Sequence, residues 1–386
     1  MNTSLSSNCK TTSYSVSDTN SYNLGKTGFV LCSLNIRHIL PKIDEFKYLL
    51  SQNESLQIVG VSETFLDGSI NNNLINIDGF DLVRRDRQIR KGGGLVVYIR
   101  KSNYLSYKRR DELEDPDIEC IWLEVTISHV KKFLLSYVYR PPSETSSWVD
   151  KFENMLERAV NDVCDIIIMG DFNIDAKSHS NCKWFDLLST YSLRQLVTEP
   201  TRVTDTSSTI IDHVYSTFSE YIDQVWVPSV ALSDHYPVCA CIKTHLSNKD
   251  KKNQHQAINY RCFEKFDEIA FLSDLSQQGL EAIYCEIDPN RAIDILCTVL
   301  TNLINFHAPL KQKRVKHKKQ PEWFNKDILN ALKKRNEFHR KKDMTNYRFW
   351  RNKTNSLILK AKRDLFKTSI INNKPCSLLW KHLNSL

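Results

Sequence analysis

At 386 residues, with 41% hydrophobic and 25% charged side chains, the chain has room for one large domain and a smaller one, and no apolar run approaches the roughly 20 residues of a membrane-spanning helix. The net charge of +8 is unevenly split: residues 310–386 hold 22 Lys and Arg against 5 Asp and Glu, whereas residues 1–309 hold 31 against 40, so an acidic body carries a basic appendage suited to polyanions. The eleven cysteines are scattered, odd in number and without a Cys-x-x-Cys pair, and the N-terminus lacks a signal peptide's basic start and apolar core; this points to reduced, mostly buried thiols in an intracellular protein with no zinc site.

Residues 1–26, dominated by Ser, Thr and Asn, predict a disordered leader. Phe29 to Ile36 reads as the first strand, running into Asn35 and Arg37; Pro41 then opens a helix over 41–52 whose inner face is Ile43, Phe46, Leu49 and Leu50. A second apolar strand, Gln57 to Glu63, ends in an acid. Strands at 80–84, 95–100, 119–127 and 133–139 succeed one another with turn signals between them, which implies antiparallel pairing. Gly92-Gly93-Gly94 precedes a strand and lacks a following Lys-Ser/Thr, so it does not read as a phosphate-cradling loop. Trp148, Phe152, Met155, Leu156 and Ala159 recur at helical spacing and predict a helix over 147–161.

Ile166 to Met169 suit a strand covered on both faces, and Gly170 lets the backbone turn tightly at its carboxyl end. Asp171 and Asn173 then fall at the sheet edge where open α/β sheets bind ligands; the same pair also suits an Asx-type turn. Shorter strands follow at 210–215, 225–227 and 238–242. This mixture over residues 27–244 predicts an α/β fold, a four-layered sandwich of two packed mixed sheets flanked by helices. Past Thr244 the text turns polar and lysine-rich, and residues 245–386 are expected to form a separate basic, mainly helical extension: helical patterns over 261–307, a basic block at 311–319 and helices from 322 to 370. Lys316, Lys318, Lys319, Lys333, Lys334 and Arg335 are candidate nucleic-acid contacts there, although Trp323, Phe324 and Tyr347 equally suit a solvated helix pair with an aromatic core.

Strand ends and loops supply Asn35, Glu63, Tyr139, Asp171 with Asn173, Thr201, Asp212 with His213, and Ser233-Asp234-His235. Singly, each has a plain explanation as a surface acid, a half-buried phenol or a turn residue. In order, however, the segments Leu-Asn35-Ile-Arg, Ser-Glu63-Thr-Phe-Leu, Lys-Gly-Gly-Gly-Leu-Val-Val-Tyr, Tyr139-Arg-Pro-Pro, Gly-Asp171-Phe-Asn173, Pro-Thr201-Arg, Ile-Asp212-His and Ser-Asp234-His235-Tyr-Pro-Val resemble the endonuclease/exonuclease/phosphatase superfamily. Within it they are most similar to the endonuclease domain of non-LTR, LINE-like retrotransposon proteins, over residues 28–243. The tail from Trp323-Phe-Asn-Lys onward resembles the connector that precedes a reverse transcriptase in such proteins. No Ala-Asp-Asp or Tyr-x-Asp-Asp signature occurs, so the chain is expected to be a truncated or separately encoded front part without polymerase activity.

The resemblance implies a Mg²⁺-dependent phosphodiester hydrolase that nicks DNA at a retrotransposon target site, with Mn²⁺ as a substitute cation. It implies that Glu63 and Asn35 hold the cation, with Asp234 as a further carboxylate. Asp171 would orient or deprotonate the attacking water, and Asn173 would fix its position. His235, its ring set by Asp212, would contact the phosphate, to whose oxygens Tyr139 and Thr201 would donate. Abasic-site DNA, a phospholipid and an inositol phosphate are the alternative substrates; a catalytically silent nucleic-acid-binding relic is the alternative from another class. Action in the nucleus on DNA, and RNA contact through the basic extension, are the expected setting and partners. Removing residues 245–386 is expected to leave hydrolysis intact while weakening binding and its salt dependence.

Overall fold

The computed structural model describes residues 24, 28–87, 92–128, 130, 132–163, 165–177, 183–244, 256–261, 263, 266–278, 280–315 and 321–371. The chain divides into two units, Met1–Ser247 with Lys319–Leu386, and Asn248–Lys318. The region 245–386, expected as one extension, is therefore split between them.

The first unit is built on two six-stranded sheets. One takes β1 (Phe29–Asn35), β2 (Leu56–Ser62), β3 (Phe80–Arg85), β4 (Leu95–Arg100), β13 (Ile222–Trp226) and β14 (Val238–Ile242), in the order β13-β14-β1-β2-β4-β3. The other takes β5 (Leu105–Arg109), β6 (Glu119–Ile127), β7 (Phe133–Tyr139), β8 (Ile166–Asp171), β9 (Arg194–Gln195) and β12 (Asp212–Ser216), in the order β5-β6-β7-β8-β12-β9. A small hairpin, β10 (Arg202–Val203) with β11 (Ser208–Thr209), precedes β12. Among the described residues only β1–β2 and β7–β8 pair in parallel, so both sheets are mixed. The strand run over 80–139 is antiparallel as expected, but it is shared between the two sheets.

Strands covered on both faces explain the apolar runs. In β8, Ile167 and Met169 point into the cluster between the sheets, while Ile166 and Ile168 join the outer cluster with Trp148 and Phe152. Helices α2 (Ser146–Asp162) and α3 (Lys183–Thr190) form that outer layer, and α1 (Ile43–Gln52) covers the other sheet through Phe46, Leu49 and Leu50. Leu24, assigned to the leader, is instead buried in the α1 layer, where its N–H donates to Asn53 Oδ1 and its carbonyl accepts from Trp226 Nε1. The remainder of 1–26 lies outside the described residues.

In the second unit β15 (Gln256–Arg261) pairs antiparallel with β16 (Leu310–Val315), and helices α4 (Glu268–Ser276), α5 (Glu281–Cys285) and α6 (Pro289–His307) lie between them in sequence. The start of the basic block at 311–319 is a strand.

The C-terminal helices α7 (Lys326–Arg340) and α8 (Met344–Ile371) belong to the first unit. Phe324, Ile328, Leu332 and Ile358 enter the apolar cluster of Phe46 and Leu49, and Phe324 stacks on Tyr48 at 4.1 Å. Arg335 is 2% exposed and pairs with Glu45 of α1 at 2.6 and 2.9 Å. The expected nucleic-acid contact at Arg335 is therefore corrected: its apolar helical neighbours carry it into the core, where an acid neutralises it. Lys316, Lys318 and Lys319 lie outside the described residues.

Two glycines set the spacing of the scaffold. A Cβ on Gly60 would meet the Tyr137 ring of the facing sheet at 1.9 Å. Gly170, at φ +151°, would place one 1.8 Å from the Val138 carbonyl oxygen. Beneath α3 a buried relay runs outward from β12: Trp184 Nε1 donates to the Tyr215 hydroxyl, Tyr215 donates to His213 Nδ1, and His213 Nε2 donates to the Ile210 carbonyl. Burial holds the His213 imidazole down to about 4, which keeps it neutral and suits this arrangement.

Gly170→Ala is expected to destabilise the fold by about 3 kcal/mol through combined strain and overpacking, read as a fall in the urea midpoint at unchanged slope. The folded pKa of His213 lies below its unfolded value near 6.5, so the unfolded chain binds the extra proton between those limits. Stability should therefore be flat above pH 6.5 with respect to this group and fall by roughly 3 kcal/mol as pH drops toward 4. Urea titrations across that range check it, and His213→Gln should flatten the loss.

Candidate active site

Strands β7, β8 and β12 lie side by side, and their register sets Tyr139 beside Asp171 and Asp171 beside Asp212. From the other sheet, β1 ends at Asn35 next to Ser62, with Glu63 following. His235 arrives from the loop before β14 and forms an isolated bridge to Arg202 of β10. The chain turns sharply as it leaves these strands: Arg37, His38, Glu63, Phe65 and Asn173 have φ of 48°, 77°, 50°, 57° and 50°. Left-handed backbone at non-glycine residues is a strained conformation that surrounding contacts must hold.

Those contacts are specific. The Asn35 carboxamide donates to Glu63 Oε1 at 2.9 Å and to Asp171 Oδ2 at 2.8 Å, so one side chain ties the two sheets together through their acids. Tyr139 donates to the same Glu63 oxygen at 3.0 Å. The Asn173 N–H donates to Asp171 Oδ1 at 2.9 Å, and its side chain donates to the Arg140 carbonyl. His235 Nδ1 lies 2.8 Å from Asp212 Oδ2 and 4.0 Å from Asp171 Oδ2. Asn35, Asp171, Asp212 and His235 are all buried, at 1, 1, 2 and 5% exposure, so their charges act without solvent screening.

Electrostatics follow from this crowding. Burial, and then Asp212, drive the Asp171 carboxyl well above the usual carboxylate range. Burial alone would lower the His235 imidazole, but Asp212, with Asp171 and Asp234, outweighs it and lifts it to about 9, so His235 is a cation at neutral pH. Tyr139 is pushed far above the ordinary phenol value by burial and by Glu63, and it stays protonated as a donor. Ligand atoms of Asp171, Asp212 and His235 lie within 4.8 Å of one another. Three acids against one imidazolium leave an excess of negative charge among oxygen donors, and that donor set fits a hard divalent cation. Asn35 would have to exchange its ends to act as a ligand, because its Oδ1 accepts from the Arg37 N–H at 3.1 Å.

The structure thus gathers Asn35, Glu63, Tyr139, Asp171, Asn173, Asp212 and His235 where strand ends of the two sheets meet. It treats Thr201 and Asp234 differently. Thr201 is fully buried and its Oγ1 accepts from the Ile211 and Asp212 N–H groups at 3.1 Å, which props Asp212 from behind. Asp234 turns to Arg37 at 3.0 Å and Arg202 at 3.1 Å. Burial would raise its carboxyl, but His235, Arg37 and Arg202 outweigh that and hold it low. Thr201 thus turns its oxygen to the backbone, and Asp234 is held by two arginines.

Several contributors were given no role at the site from the sequence. The triple glycine supports the Glu63 turn: the carbonyls of Gly94 and Gly93 accept from the Thr64 and Phe65 N–H groups, with Gly92, Gly93 and Gly94 at φ +86°, +65° and +84°. Ser233 joins two strand ends, donating to the Asn35 carbonyl and accepting from the His235 N–H. Arg37 and Arg202 were present only as motif neighbours.

Residues 133–239 match the profile of the family described as endonuclease-reverse transcriptase. That segment contains Tyr139, Asp171, Asn173, Thr201, Asp212, Asp234 and His235. No curated protein matches the chain. Among solved structures, the endonuclease domain of TRAS1, a telomere-specific non-LTR retrotransposon, aligns at 14% identity and a TM-score of 0.44, covering 56% of this chain and 100% of that one. A 3′-5′ exonuclease (NExo) from Neisseria meningitidis aligns at 17% and 0.43 over 56% and 100%. The AP endonuclease LMAP from Leishmania major aligns at 12% and 0.46 over 56% and 88%. The matched segment, running from β7 into β14 of the two-sheet sandwich, is similar to the endonuclease-reverse transcriptase family.

Proposed function

We propose that the chain is a Mg²⁺-dependent phosphodiester hydrolase that nicks one strand of DNA, as an endonuclease of a non-LTR retrotransposon. The observation that carries this reading is the buried convergence of Asp171, Asp212 and His235, tied through Asn35 to Glu63. Phosphodiester hydrolysis needs a basic group beside the attacking water and positive charge on the phosphoryl oxygens. In this reading Asp171, its carboxyl raised and its turn fixed by the Asn173 N–H, accepts the water proton. His235, anchored through Nδ1 to Asp212, has Nε2 to donate to a phosphoryl oxygen, and Tyr139 is a second donor on the Glu63 side. Thr201 acts through Asp212 rather than on the substrate. A divalent cation held by Glu63 and its neighbours would neutralise charge on the phosphoryl oxygens.

The test is conversion of supercoiled plasmid to open circle. The parent should nick and EDTA should stop it, while Asp171→Asn and His235→Ala should slow nicking by about 100- to 10,000-fold. Equal rates in these variants would remove the site assignment. Mg²⁺ should also raise the melting temperature of the parent and not that of Glu63→Gln. Duplex with an abasic site and a small phosphoester belong in the same series, since strong preference for either replaces plain DNA as substrate.

The helix pair contributes binding. Lys334 lies exposed over the Trp350 ring at 4.4 Å, with Lys333 beside it in sequence. Replacing each lysine by Ala should reduce the slope of log K against log salt by about 0.9. An unchanged slope takes these two residues out of the nucleic-acid interface.

A further inference from the structure

The loop that delivers His235 has no strand ladder of its own, yet Val230, Ala231, Leu232, Ser233 and Tyr236 are all buried. Buried backbone groups need partners, so what satisfies this loop also decides where His235 stands. Part of the answer lies within the sandwich: the Tyr236 N–H donates to the Thr201 carbonyl at 2.7 Å, and Ser233 Oγ accepts from the His235 N–H at 3.0 Å. The rest comes from the C-terminal helices. Asn336 Oδ1 accepts from the Ala231 N–H at 3.3 Å, and the Tyr347 hydroxyl donates to the Ser233 carbonyl at 3.4 Å. The Tyr236 hydroxyl meets His339 Nδ1 at 2.6 Å, with the two rings edge to face at 4.8 Å, and His339 in turn packs on Tyr347 at 4.6 Å.

The helices are themselves anchored. The Arg335 guanidinium holds the Asn336 oxygen at 2.9 Å and pairs with Glu45 of α1. Arg348 of α8 reaches Asp205 in the turn of the β10–β11 hairpin. The contacts at residues 231, 233 and 236 bracket His235, whose own side chain bonds Asp212.

We propose that α7 and α8 are part of the catalytic unit, and that Asn336, His339 and Tyr347 are positioning residues which clamp the Val230–Tyr236 loop so that His235 stays against Asp212. This is the opposite of the expectation that the region after 244 can be removed without touching the chemistry. The catalytic half of the inference rests on the proposed function; the clamping of the loop does not.

The test uses the full chain carrying Asn336→Ala with Tyr347→Phe, the rescue variant Asn336→Asp with native Tyr347, which keeps an acceptor for the Ala231 N–H, and Lys341→Ala as a control in an exposed pair with Glu337 at the end of α7. Two readouts are taken, amide hydrogen exchange of residues 230–236 against β8, and steady-state nicking resolved into kcat and KM. In the double variant, loop exchange should rise and kcat should fall by about tenfold each, as expected for two lost hydrogen bonds, with β8 exchange and KM near parent values. Asn336→Asp should stay near the parent, and the control should not change. Loop exchange at the parent rate overturns the clamp, and faster exchange with kcat unaltered overturns its catalytic half. Should β8 exchange rise as well, Tyr347→Phe alone, which keeps its packed ring, decides on the same readouts. A parent that never nicks overturns the proposed function, and the exchange measurement still decides whether the helices hold the loop.

Discussion

Two carboxylates face each other across adjacent antiparallel strands, with almost no solvent. Asp171 opposite Asp212 is an arrangement a sheet avoids, because like charges in register repel and burial removes the water that would screen them. The fold answers with a positive imidazole 2.8 Å from one acid and 4.0 Å from the other, and with donors from Asn35 and Asn173 on Asp171. Everything else near the site serves that arrangement. Thr201 aligns the backbone before Asp212, and Asn35 reaches across from the other sheet.

Because Asn35 and Asp171 belong to different sheets, the spacing of the sandwich and the geometry of the site are one constraint. Gly60 admits the Tyr137 ring between the sheets, and Gly170 allows β8 to run close against β7 so that Asp171 lands between Tyr139 and Asp212. A bulkier core at either place would move an acid as well as a strand. The residual negative charge explains why the same pocket suits a cation, and Asp171 and His235 both titrate above their ordinary values, the carboxyl through burial and then Asp212, the imidazole through the carboxylates around it.

The charge asymmetry of the sequence suggested a basic arm that could be detached from an acidic body. Helices α7 and α8 instead use one apolar stripe to complete the outer layer of a sheet, and their most buried cation neutralises an acid on α1. Net charge counts side chains wherever they lie. It says where a polyanion could be attracted, and it does not say which of those side chains the core has already taken.

Much of the architecture was legible along the chain. The apolar run ending at Asp171, the strand ending at Asn35 and the helix of Trp148 to Ala159 are found where their patterns put them, because two-sided burial and the 3.6-residue period leave strong marks. β5, the two-residue strands β9 to β11 and α3 escaped, being half-exposed or too short to repeat a pattern. The sequence by itself determined which polar residues stand at strand ends, and hence the candidates for the site. Only the tertiary structure decided their partners: that Asp212 takes His235, that Asp234 is spent on Arg37 and Arg202, that Thr201 faces backbone, and that Arg335 lies inside. Those outcomes depend on strand register and sheet packing between residues far apart in the chain, and Coulomb and hydrogen-bond energies act over distances in space that local periodicity does not encode.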